Sequence, residues 1–79
     1  MRSPDKATEH TIRLGKQHVT QQEARIERQK KLVASLEAHG HEGLAQAARQ
    51  LLTEMIDLLE SMRRDVAQAK ERLEDRRAH

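Results

Sequence analysis

Phe, Tyr, Trp and Cys are all absent from this chain of 79 residues. Without aromatics, a core has to be built from Leu, Ile, Val, Met and Ala. The stacking platforms that hold unpaired bases are missing as well. Without Cys there are no disulfides and no thiolate-ligated metals. One Pro and three Gly leave long stretches with nothing to interrupt a helix. No apolar run approaches the roughly 20 residues needed to span a bilayer. Neither charge sign dominates: Asp, Glu, Lys and Arg make up 35% of the residues, yet the formal net charge is only +2. That is too small to imply a polyanionic partner. The polar opening Met1-Arg2-Ser3-Pro4-Asp5-Lys6 lacks the apolar region of a secretory signal, so the expected location is cytoplasmic.

What is present is a seven-residue apolar repeat. Ile12, Val19, Ile26 and Val33 are one heptad apart, and so are Leu52, Leu59, Val66 and Leu73. Such a repeat lays one stripe along a helix, and the stripe has to be buried against another helix. His39-Gly40-His41-Glu42-Gly43 separates the two runs. The spacing predicts an all-α, antiparallel two-helix coiled-coil hairpin: one domain over 1–79, with helices over 4–39 and 44–76 and a turn at 40–43. Ser3, Pro4 and Asp5 suit a helix start as cap, first position and dipole partner. Gly40 suits a left-handed C-cap. Arg76 and Arg77 favour the negative end of the second helix, and the outermost residues are expected to fray.

Heptad letters make the reading specific. In the first helix, Ile12, Val19, Ile26 and Val33 fall at a, and Gly15, Gln22, Gln29 and Leu36 at d. In the second, Ala45, Leu52, Leu59, Val66 and Leu73 fall at a, and Ala48, Met55, Met62 and Ala69 at d. With a short turn, facing positions sum to about 83. One flank then pairs His39 with Leu44, Leu32 with Leu51, Arg25 with Leu58 and His18 with Asp65. The other pairs Glu37 with Arg49, Lys30 with Ile56, Glu23 with Arg63 and Lys16 with Lys70. Gly15, near Ala69, would allow a close approach of the helices.

The apolar surface is wider than a two-helix seam requires. Leu32, Leu44, Leu51 and Leu58 at g and Ile56 at e, with Met55 and Met62 beside them, form the expected oligomer interface. A chain this short buries too little surface to be comfortably stable alone. Dimerisation into a four-helix bundle, with two-fold symmetry, is the expected solution.

Other residues have both a functional and a plainer reading. Gln22 and Gln29 are either a buried polar layer that sets register or simply hydrated amides. Met55 and Met62 could receive a foreign helix, although core packing explains their spacing. His39, His41 and Glu42 flank a Gly and do not supply the three or four converging ligands of a metal site. His18 opposite Asp65 is either a pH-sensitive pair or an exposed ion pair of little consequence. Arg25, Arg28, Lys30 and Lys31 form the densest basic surface, but Glu23 and Glu27 interrupt it. No nucleophile–base spacing and no phosphate-binding Gly loop is present, so no enzyme, cofactor or small-molecule substrate is expected.

His18-Val19, Glu23, Arg25-Ile26, Arg28-Gln29, Leu32-Val33, Leu36-Glu37 and Gly40-His41, followed by an Ala/Leu-rich second helix, resemble small uncharacterised bacterial helical-hairpin proteins. The resemblance spans residues 18 to about 66. Its heptad letters are generic, and its Arg-Gln and Gly-His placements are more specific. It implies a helical hairpin and no assigned activity. Glu42 and Gly43 stand where such sequences often carry a capping Asp or Thr. The functional expectation is a non-enzymatic structural, adaptor or regulatory module that self-associates through its Leu/Ile/Met face. The rival is a nucleic-acid-associated protein, and a third option is a subunit whose apolar face takes another protein's helix.

Overall fold

A computed structural model describes residues 4–78. Two helices, α1 (Pro4–Ala38) and α2 (Glu42–Ala78), pack side by side along their whole length. Among the described residues there is no strand. The molecule is a rod of 59 × 18 × 13 Å. Ser3, the expected cap of α1, lies outside the described residues.

The seam follows the heptad letters. Ile12, Ile26 and Val33 at a and Gln22 at d are buried on α1, and Ala45, Ala48, Leu59 and Leu73 are buried on α2. Val19, Gln29, Leu36, Leu52, Met55, Met62, Val66 and Ala69 are half-buried around them. A two-layer rod has no true interior, which is why none of the large side chains described is wholly shut off from water.

The turn is tighter than expected. Gly40 adopts φ 76°, a left-handed conformation that costs a residue with a Cβ roughly 1–2 kcal/mol. Its N–H donates to the Glu37 carbonyl at 3.1 Å, and the His41 N–H donates to the Leu36 carbonyl at 2.9 Å. These two bonds are the Schellman closure of α1. The His41 carbonyl in turn accepts from the Ala45 N–H at 2.8 Å. His41 therefore closes α1 and opens α2, and the second helix begins at Glu42 instead of Leu44. The first ends at Ala38, one residue short of the expected boundary. Gly43, expected in the turn, sits in the first turn of α2.

At the open end, α2 runs to Ala78 and not only to residue 76. Arg76 donates to the Thr8 hydroxyl at 2.8 Å and lies 4.0 Å from the Asp5 carboxylate, and Arg77 pairs with Glu9. Cations in the last turn also suit the helix dipole. Gly15 approaches closely, as expected, but its neighbour is Val66 and not Ala69: a Cβ built on Gly15 would stand 2.8 Å from Val66 Cγ2.

Candidate interaction surface

The two flanks of the seam have different chemistry. On the e flank, Arg49 lies 3.5 Å from Glu37, and Arg63 lies 3.2 Å from Glu23. These are the two opposite-charge pairs expected from the register. Arg49 also comes within 3.9 Å of Glu42. All of these side chains are largely exposed, so the pairs help choose a register and add little stability. Lys70 beside Lys16 lowers the Lys16 pKa, first by a side-chain hydrogen bond and then by charge repulsion. That is the expected like-charge clash of this flank.

The g flank is apolar near the turn. Leu44 is 62% exposed, Leu58 53%, and Leu32 and Leu51 48% each. Leu44, Leu51 and Leu58 line up one heptad apart along α2, and Leu32 of α1 lies at about the level of Leu51. Farther from the turn the same flank carries Arg25, His18, Asp65 and Arg72, all exposed. His18 and Asp65 make no ion pair with each other, since an exposed pair gains too little to hold two side chains in one geometry.

The expected interface residues therefore divide. Leu32, Leu44, Leu51 and Leu58 form one strip. Ile56 is separate from it, on the opposite flank, in a shallow cleft with Ala24, Lys30, Leu59 and Arg63. Met55 and Met62 are half-buried in the seam at d. Leu14, 40% exposed, lies outside the expected interface set. It sits at c, next to g on the helical wheel, a letter that does not ordinarily flank a seam.

Gln22 and Gln29 point into the seam. Gln22 is only 5% exposed, and its Nε2 donates to the Met55 carbonyl at 3.0 Å. Gln29 Nε2 donates to the Ala48 carbonyl at 2.9 Å. Both carbonyls belong to α2, so each amide ties α1 to a fixed level of its neighbour. No buried side-chain nitrogen or oxygen among the described residues lacks a partner. Replacing both glutamines with Leu removes this tie while filling the same volume. The expected result is a rise in Tm of a few degrees, together with broadened or doubled backbone amide resonances as the helices sample more than one register. A single sharp set of resonances would show that the amides do not set register.

The remaining candidates do not converge. Among the described residues no group of three or more His, Asp or Glu is placed to hold a metal. His39 Nδ1 lies 2.7 Å from the Ser35 carbonyl, one helical turn back, and His41 is exposed. Arg25, Arg28, Lys30 and Lys31 are exposed at successive helical angles that spread them over several faces, and Lys30 pairs with Glu27 at 3.2 Å. No described helix is long and apolar enough to cross a membrane.

The fold and its surface define an antiparallel α-helical hairpin with one apolar flank. No family model matches the chain, and no curated protein or solved structure does either.

Proposed function

We propose that the chain is a small non-enzymatic structural, adaptor or regulatory module that works as a homodimer, two hairpins joining through their apolar flanks into a four-helix bundle. The observation that carries this is the strip of Leu32, Leu44, Leu51 and Leu58, about half exposed, while the other exposed large hydrophobic side chains among the described residues, Leu14 and Ile56, stand apart from it. Full burial of a Leu is worth about 1.5–3 kcal/mol. Eight half-exposed leucines from two copies then gain roughly 6–12 kcal/mol. Association costs about 4–15 kcal/mol. The two ranges overlap, and the roughly 8 kcal/mol of net gain that a micromolar dimer requires is reached only with the leucine gain at its upper end and the association cost at its lower end, so dimerisation depends on concentration. The resemblance of residues 18 to about 66 to small bacterial helical-hairpin proteins is in keeping with this reading and brings no catalytic residue with it.

Leu51→Glu and Leu58→Glu test the proposal. Both side chains are exposed in the hairpin, so its helicity should survive. A charge at either position would be desolvated in a dimer, and sedimentation equilibrium should show the variants shifted at least tenfold toward monomer. A wild-type chain that stays monomeric at about 100 μM, roughly a hundredfold above a micromolar Kd, would overturn the reading.

A further inference from the structure

We infer that the two hairpins join with their turns pointing in opposite directions and overlap only over their turn-proximal halves, α2 lying antiparallel on α2 of the second copy with Leu51 at the two-fold axis. This orientation rests on the self-association proposed above.

The strip is symmetric about its own centre. Leu44 and Leu58 stand one heptad to either side of Leu51, and Leu32 shares the level of Leu51 on α1. A strip of this kind is complementary to a reversed copy of itself, which identifies a second copy of the chain as its occupant.

Two face-to-face dimers are compatible with a two-fold axis. If the axis runs along the rod, the turns lie at the same end and α2 rests on α1 of the second copy. Leu51 then meets Leu32, but Leu58 meets Arg25 and Leu44 meets His39. The rods overlap completely, so Arg25, His18, Asp65 and Arg72 of both copies are drawn into the contact. Asp65 then faces His18 of the second copy, but Arg25 faces Leu58 and Arg72 faces Thr11, and removing an unpaired guanidinium from water is costly.

If the axis instead crosses the rod, α2 rests on α2 and α1 on α1. Leu44 meets Leu58, Leu51 meets Leu51, and Leu32 meets Leu32. The second copy's turn reaches just past Leu58 and stops short of Asp65. His18, Asp65 and Arg72 stay in water, and Arg25 comes to the level of His39 at the open edge of the turn. Every exposed leucine of the strip gains an apolar partner, and the charged half of the flank keeps its solvent.

The chain has no Cys, so a single introduced Cys can carry a spin label. Gln50 and Glu71 are both exposed on the outer face of α2. Gln50 is close to the axis, and Glu71 is twenty residues from Leu51. In the crossed-axis dimer, labels on Gln50→Cys lie close together. Labels on Glu71→Cys are separated along the rod by about 60 Å at 1.5 Å per residue. Pulsed dipolar spectroscopy, on samples shown to be dimeric by sedimentation, should give a short distance at the first position and a long one at the second. Short distances at both would overturn the orientation and leave self-association standing. No dipolar coupling at either, in a sample that sediments as monomer, would overturn both.

Discussion

Ile26→Ala should lower the thermal midpoint of the hairpin by about 10–20 °C. Ile26 is at the centre of the seam and only 5% exposed, next to the buried Gln22 and within reach of Leu59. Removing most of a buried Ile costs about 2–5 kcal/mol, the value depending on how far the site collapses. A two-helix rod, open on both flanks, collapses easily, which favours the lower half of that range. For a chain of this size each kcal/mol moves the midpoint by about 4–8 °C. Leu32→Ala is the matched control. It deletes a similar apolar volume from a side chain that is 48% exposed, so it should leave the hairpin's own unfolding almost unchanged and weaken only its self-association. Melts by circular dichroism, run at concentrations below and above the dimer transition, separate the two effects. An Ile26→Ala midpoint within 3 °C of wild type, less than 1 kcal/mol on the same scale, would mean that the seam does not hold the helices together.

Gly15→Ala should fail to stabilise α1 although it replaces a glycine in the middle of a helix. At an exposed interior position that change gains about 1 kcal/mol from propensity. Here the new Cβ would stand 2.8 Å from Val66 Cγ2. Val has one strongly preferred rotamer in a helix, so the methyl cannot swing aside and the helices have to separate. Overpacking of this kind costs about 1–3 kcal/mol. The expected net is a loss of up to about 2 kcal/mol, read as a lower urea midpoint. Adding Val66→Ala removes the obstructing methyl and should restore the propensity gain. The double-mutant cycle should then show favourable coupling of at least about 1 kcal/mol. A Gly15→Ala variant more stable than wild type by the full propensity gain would show that the two helices are not closely apposed at this level.

The sequence alone determined the architecture. Heptad spacing named every buried position of the seam, Gly40 marked the end of α1, and opposite charges at Glu37–Arg49 and Glu23–Arg63 indicated the e-flank register. These features are legible because helical periodicity decides which face a residue occupies. Only the tertiary structure decided where the chain reverses and what individual atoms meet. His41 serves both helices because the Schellman closure leaves its carbonyl free to begin α2. Gln22 and Gln29 reach the Met55 and Ala48 carbonyls through flexible side chains whose endpoint a heptad letter does not specify. Gly15 faces Val66, because a sum rule for facing positions is blurred over about one helical turn. The interface residues divided for a related reason. Letters e and g both flank the seam in a list, but they are opposite sides of a two-helix rod, and Ile56 therefore stands apart from the leucine strip.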